Sequence, residues 1–210
     1  MSLPIQEPTI RHATREGITT PSHFPLYQNK PQTPQLNLSV GHPDVPHILE
    51  MIHLLAEHEK ASDSVQATPT TLLSTLSFPP FSSSTPGYAR TLLIHPAGSG
   101  PTDAPAGMAL YFPTYSTWRA APGIWLEDLF VKREFRGRGY GTRLLGRLAT
   151  EVAGMGGARL EWCVLKWNTP SVEFYQSAGI GAERMEEWVT MRVDDRSLLA
   201  LAARDTAAQG

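Results

Sequence analysis

A turn with three glycines in five residues joins an apolar segment to an amphipathic one, which limits the chain to folds in which a strand runs directly into a helix. The turn reads Val131-Lys132-Arg133-Glu134-Phe135-Arg136-Gly137-Arg138-Gly139-Tyr140-Gly141. Ile124 to Val131 before it has the pattern of a strand, and Leu144, Leu145, Leu148, Ala149 and Val152 after it recur at helical spacing. Glycine removes side chains where a ligand touches main chain, and a helix start offers unpaired N–H groups at the positive end of its dipole. A pyrophosphate fits such a turn. The competing phosphate motifs fail: a dinucleotide fingerprint counted from Gly137 needs glycine where Thr142 stands, and no Gly-Lys-Ser/Thr ending follows.

The rest of the chain arranges itself around this turn. Residues 1–34 carry Pro4, Pro8, Pro21, Pro25, Pro31 and Pro34 with little periodicity, the composition of an extended or disordered arm, so the folded domain is expected over 35–210. Gln35 to Val40 alternates like a strand. After Pro43 and Asp44, the residues Val45, Ile48, Leu49, Ile52 and Leu55 mark an amphipathic helix, and a shorter helix follows Thr68-Pro69. Tyr88–His95, Ala106–Thr114 and Ile124–Val131 read as an antiparallel meander, the first two split by the Pro/Gly-rich loop Pro96–Pro105. Beyond the glycine turn and its helix come a strand over Arg159–Leu165, a short helix from Pro170, a strand near Trp188–Val193 and a terminal helix over Asp194–Ala207. This β-α-β-β-β-α-β-α-β order predicts a mixed α/β domain in three layers, α-β-α.

Composition excludes several classes of partner. The 210 residues are 41% apolar with a formal charge of -2, which suits one globular domain plus a tail and no polyanion partner. The basic cluster Lys132, Arg133, Arg136, Arg138 and Arg143 is local, and cofactor phosphates explain it better than nucleic acid does. Cys163, the single cysteine, lies in the apolar run Leu160–Leu165 and is expected to be a buried inert thiol in a reducing compartment. No apolar run approaches the roughly 18 residues of a membrane span, the first 30 residues lack a signal-peptide core, and Glu7 and Glu16 interrupt any transit-peptide pattern around Arg11 and Arg15. Cytoplasm is the expected location, with the nucleus second and no membrane.

Arg136-x-x-Gly139-x-Gly141 resembles the acetyl-CoA segment of the GCN5-related N-acetyltransferase superfamily (GNAT). Three further stretches narrow the resemblance: Tyr111-Phe112-Pro113-Thr114-Tyr115-Ser116-Thr117-Trp118, Leu126-Glu127-Asp128-Leu129-Phe130-Val131, and Leu165-Lys166-Trp167-Asn168-Thr169-Pro170-Ser171-Val172-Glu173-Phe174-Tyr175. In this order and spacing they are similar to the diamine acetyltransferases (spermidine/spermine N1-acetyltransferase) and their thialysine-acetylating relatives. The likeness runs from about Gln35 to Ala207. It implies a GNAT fold, acetyl-CoA as cosubstrate, a small cationic amine as acceptor, no metal, and a homodimer.

Acetyl transfer to an alkylamine needs a neutral nucleophile, yet a lysine-like amine has a pKa of about 10.4; near neutral pH that gap is worth about 4 kcal/mol. A carboxylate draws the ammonium in and accepts its proton directly or through water. Glu127 and Asp128 are the candidates. Neighbouring strand residues point to opposite faces unless a bulge intervenes, and the resemblance implies a bulge here. By that resemblance Glu127 is the base and Asp128 the partner that holds substrate charge or water. Strand N–H groups near Leu129 and Val131, with Phe130 between them, would orient the acetyl carbonyl. The turn Arg136, Gly137, Arg138, Gly139, Tyr140, Gly141 and Thr142 would hold the pyrophosphate. Tyr175 matches the family's general-acid tyrosine, placed to protonate the leaving thiolate, and Asn168, which also suits a helix cap before Thr169-Pro170, matches the asparagine beside coenzyme A.

For the acceptor, Glu57, His58 and Glu59 at the end of the first helix, Asp63 after it, and the aromatic faces of Trp118 and Trp188 supply the mixture of carboxylates and apolar walls that an aliphatic diamine wants. Where polyamine-preferring enzymes have Asp-Pro-Trp, this chain has Ser116-Thr117-Trp118, as in the thialysine-type branch. The lost carboxylate removes one anchor for a second ammonium and brings thialysine, lysine and ornithine forward as acceptors. Two other readings compete: a protein or peptide N-acetyltransferase, and a noncatalytic acyl-CoA-binding interaction module. Glu50-x-x-His53 lacks the partner sets of a dimetal site, and the seven histidines show no zinc-ligand spacing, so no metal is expected.

Overall fold

The computed structural model describes residues 7–14, 44–81, 87–100 and 103–207. The chain forms two compact units, Met1–Asn168 and Thr169–Gly210. The first holds a five-stranded sheet in the order β1-β2-β3-β4-β5, built from β1 (Thr9–His12), β2 (Arg90–His95), β3 (Gly107–Ser116), β4 (Ala121–Val131) and β5 (Leu160–Trp162). The first four strands pair antiparallel in sequence order, and β5 joins β4 in parallel. Helices α1 (Asp44–His58) and α2 (Pro69–Thr75) cover one face, and α3 (Tyr140–Gly154) covers the other. The second unit contains α4 (Thr169–Gln176) and α5 (Asp195–Ala207). The three-layer α-β-α arrangement expected of the domain is the one found.

Alternation along the strands decides what each layer receives. Leu93, Met108, Leu110 and Phe130 point toward α1 and α2, where they meet Val45, Ile48, Met51, Leu72 and Leu73 in one buried cluster. Tyr111 points the other way, and its hydroxyl donates to Glu151 of α3 at 2.5 Å. Helix α3 buries Leu144, Leu145, Leu148 and Val152 of the stripe expected from its sequence, together with Tyr140, while Ala149 of that stripe is exposed. Helix α2 starts as its sequence demands: Thr68 and Thr71 exchange side-chain and backbone hydrogen bonds in a capping box, with Pro69 in the first turn.

The proline-rich arm holds the main departure from expectation. Residues Thr9–His12, assigned to that arm, form the edge strand β1 on β2. Four residues, three of them polar, carry almost no periodic signal, yet Arg11 and His12 each have a destination. Arg11 faces the α1 layer and donates two hydrogen bonds to Asp44, at 2.7 and 2.8 Å; His12 faces α3, with Nε2 3.3 Å from Glu151. Asp44 is 1% exposed and also accepts from the backbone N–H of Thr14 at 2.7 Å. Burial by itself would raise its pKa, but the Arg11 and Thr14 hydrogen bonds outweigh that and hold it below the usual carboxylate range. The strand expected over Gln35–Val40 lies outside the described residues.

Two further expectations are corrected. Trp188–Val193 alternates like a strand but has no regular structure, and Trp188, Val189, Met191 and Val193 are exposed. Among the described residues of the Thr169–Gly210 unit there is no other strand, and a lone strand has nothing to satisfy its backbone. Cys163 is exposed rather than buried, because β5 stops at Trp162 and the apolar run Leu160–Leu165 continues past the end of the sheet.

Candidate active site

The site grows from an interruption in the pairing of β3 and β4. Leu110 pairs with Asp128 and Tyr111 with Leu126, so Glu127 is the extra residue of a β-bulge. A regular strand would send Glu127 and Asp128 to opposite faces. The bulge removes that constraint. Asp128 is in register with Leu110 and therefore faces the α1 layer, as does Trp125, which pairs with Phe112. Glu127 turns to the same side, where its Oε2 accepts a hydrogen bond of 2.9 Å from the Trp125 indole N–H.

The two carboxylates have different surroundings. Glu127 is exposed and Asp128 half-buried. Loss of hydration, followed by the negative charges of Glu127 and Glu59, pushes the Asp128 carboxyl up to about 6. Glu59, just past the C-terminus of α1, is thus brought to the acid pair as its sequence position suggested. Beside it, His58 lies 6.3 Å from the ring of Trp167, and the Lys60 ammonium lies 5.4 Å from the centroid of that ring. Sequence reasoning named neither Trp125 nor Trp167 as a site residue. The only signal for Trp125 was its place two residues before Glu127, which in a regular strand is a same-face position.

Among the described residues no strand pairs with β4 on its β5 side beyond the bulge. Strand β5 pairs with β4 only over Ile124–Leu126. The Lys132 N–H donates to Ala106 O at 2.8 Å, so strand alternation turns the N–H groups of Phe130 and Asp128 toward β3 and those of Leu129 and Val131 toward the side that β5 leaves uncovered. An acyl carbonyl lying along that edge would meet these two donors.

The glycine turn completes the cofactor side. Gly137 and Gly139 both have φ of +75°, and a Cβ at either would have no atom within 4 Å. The glycines therefore serve the backbone path and leave open space in front of it. Gly139 is the N-cap of α3 with no side-chain cap, so the N–H groups of Tyr140, Gly141 and Thr142 occupy the unpaired first turn. Arg136 Nε donates to Val131 O at 2.9 Å, and its guanidinium lies 5.7 Å from the Phe130 ring, tying the turn to the end of β4. Arg138 lies 5.4 Å from the Phe135 ring, itself stacked on Tyr140. Of the remaining basic residues, Lys132 pairs with Glu50 and Arg143 with Glu7. These groups fit a pyrophosphate and its acyl arm.

Ser116 is buried where β3 turns into β4, its Oγ accepting the Arg119 N–H at 3.4 Å, and Trp118 projects from the same turn at 89% exposure. That turn is six residues from Glu127, roughly 20 Å along the strand. Asp63 is exposed in the short helical turn Ser62–Ser64. Asn168 is buried, with its N–H donated to Leu165 O. In the second unit, Tyr175 is half-buried in the last turn of α4, its ring 5.2 Å from that of Phe174, and Trp188 is 64% exposed.

Known proteins share both sequence and fold with this chain. Residues 73–180 match the acetyltransferase (GNAT) family. The thialysine N-epsilon-acetyltransferase of Bos taurus is 31% identical over 77% of this chain and 93% of its own length. The L-ornithine N5-acetyltransferase of Arabidopsis thaliana is 29% identical over 75% of this chain and 83% of its own. Among solved structures, an integron cassette protein from the mobile metagenome of V. cholerae superimposes with a TM-score of 0.61 over 93% of this chain and 97% of its own, at 21% identity. The bulged acidic strand, the open edge beyond it and the glycine turn therefore belong to a member of the acetyltransferase (GNAT) family, an acetyl-CoA-dependent N-acetyltransferase.

Proposed function

We propose that the chain transfers the acetyl group of acetyl-CoA to a primary amine of a small aliphatic acceptor, either a short diamine or a lysine-like amino acid such as thialysine, lysine or ornithine. The observation that carries this reading is the bulge at Glu127, which gathers two carboxylates on the α1 face beside Glu59. Three acids around one cleft attract an ammonium group and reject an anionic acceptor. The similarity to thialysine and ornithine acetyltransferases supports the same substrate class.

In this reading bound acetyl-CoA supplies a thioester carbonyl. One ammonium proton leaves first to a carboxylate, the amine nitrogen then bonds to that carbon and the carbon–sulfur bond breaks, and the second proton shed as the amide forms balances the one taken up by the departing sulfur. Sequence reasoning gave the proton to Glu127 and substrate charge to Asp128. The surroundings of the pair favour the exchange of these roles: Asp128, with its carboxyl pushed up to about 6, holds a proton more readily, while exposed Glu127 anchors the ammonium. The N–H groups of Leu129 and Val131 orient the carbonyl, and the family resemblance assigns to Tyr175 the proton returned to the departing sulfur.

The test is coenzyme A release with acetyl-CoA against putrescine, spermidine, lysine, ornithine and thialysine, with buffer as the hydrolysis control. Turnover on any of these amines above the buffer control supports the proposal, and the relative rates separate diamine from lysine-like acceptors. The absence of amine-dependent turnover would overturn it.

A further inference from the structure

We propose that Trp125 is a positioning residue of the acid pair: its indole N–H holds Glu127 on the α1 face, so that Glu127 receives the acceptor's ammonium while Asp128 is left to take the proton. The inference deepens the proposed acetyl transfer and rests on it. Its basis is geometric. A bulge frees Glu127 from the alternation that would otherwise fix its side, because the residue has no partner on β3. An exposed glutamate on such a backbone has several rotamers open to it. Among the described residues, the hydrogen bond that restrains that carboxylate is the 2.9 Å one from Trp125 Nε1. The tryptophan indole N–H is a donor with no acceptor function, so it pairs with the ionised carboxylate. Among the described residues that bond occupies Oε2, which leaves Oε1 for an incoming ammonium.

The arrangement also keeps the two acids distinct. With Glu127 held, its charge stands at a constant place beside Asp128 and contributes to the raised proton affinity there. Trp125 itself is half-buried and in register with Phe112, so its ring is fixed by the sheet rather than by the ligand.

The test uses the full chain with its five tryptophans labelled by nitrogen-15. Replacing Trp125→Phe identifies the Trp125 indole resonance by its loss, and Glu127→Ala should then move that resonance upfield in the otherwise unaltered protein. An indole resonance indifferent to Glu127→Ala overturns the contact, whether or not the protein turns over any amine. For the role, Trp125→Phe should raise the amine KM about tenfold, the scale of one hydrogen bond to a charged group, and leave the acetyl-CoA KM unchanged. Introduced into Glu127→Ala, the same change should add less than about twofold, because nothing remains to be positioned. An equal loss in both backgrounds, or a matching rise in the acetyl-CoA KM, would show a packing role and overturn the proposal. Absence of amine turnover by the unaltered protein would overturn the reaction, and the positioning role with it, while the indole resonance would still report on the contact.

Discussion

Asp128 and Glu127 differ by one position in the chain and by a large step in environment. Because the Asp128 carboxyl is pushed up to about 6, it must be ionised to accept a proton, so kcat/KM for the amine should fall as pH drops through about 6. Asp128→Asn should lower kcat by about a hundredfold or more and abolish that limb of the profile. The same substitution carries a stability prediction of opposite sign. A carboxyl whose folded pKa lies above its unfolded value stabilises the fold below about pH 4, where both states bind the proton, and that contribution is lost as pH rises through about 6. Asp128→Asn should therefore raise the melting temperature at pH 7.5, corresponding to about 1–3 kcal/mol, and change it little at pH 3.5. Thermal melts at the two pH values check this. Tyr175→Phe, in the proposed acid role, should reduce coenzyme A release by about a hundredfold with both KM values nearly unchanged.

At the scale of elements, two junctions hold the site in place. The start of α3 depends on Gly139 at φ +75°, a backbone state that costs an L-residue about 1–2 kcal/mol. Because the space in front of it is open, Gly139→Ala should be felt through the backbone alone. It should lower stability by about 1 kcal/mol and raise the acetyl-CoA KM more than the amine KM, as urea unfolding and steady-state kinetics would show. The second junction is Asp44, which joins β1 to the start of α1. Asp44→Ala leaves Arg11 and the Thr14 N–H without their shared acceptor and should cost about 3 kcal/mol in urea unfolding at pH 7. Since the Asp44 pKa is lowered, its contribution is complete above the ordinary aspartate range and is lost as pH falls through its folded value, so the variant and the parent should converge in acid.

The elements were legible to different degrees for reasons that particular residues make plain. Helix α1 was readable because Val45, Ile48, Leu49, Ile52 and Leu55 recur at helical spacing after Asp44, and all five meet the core, and α2 because Thr68-Pro69 is a start signal by itself. Strands β2 to β4 announced themselves as apolar runs between turns. Strand β1 did not: Arg11 and His12 reach Asp44 and Glu151, 33 and 139 positions away, which no local window can register. The segment Trp188–Val193 failed in the other direction, since its alternation was present and a neighbouring strand in its own unit was not.

For the molecule as a whole, the family resemblance implies a homodimer, and we propose that state. Exposed apolar side chains in the Thr169–Gly210 unit, among them Trp188, Val189, Met191 and Leu199, are the kind of surface that association would cover. Light scattering on the eluting protein should give twice the 23.1 kDa of one chain. A single-chain mass at micromolar concentration would refute the proposal.

The amino-acid sequence by itself determined that a strand runs through a glycine turn into a helix, that the turn suits a pyrophosphate, and that two adjacent carboxylates precede it. All of these lie within about thirty consecutive residues, where backbone freedom, helix periodicity and charge are local properties. What only the tertiary structure decided is which face those carboxylates share, that Glu59 joins them from another element, and that Trp125 holds one of them. Those outcomes depend on the pairing of β4 with β3, a register set by packing of the whole sheet, and a register that slips by one residue at Glu127 moves a charge from one face of the sheet to the other.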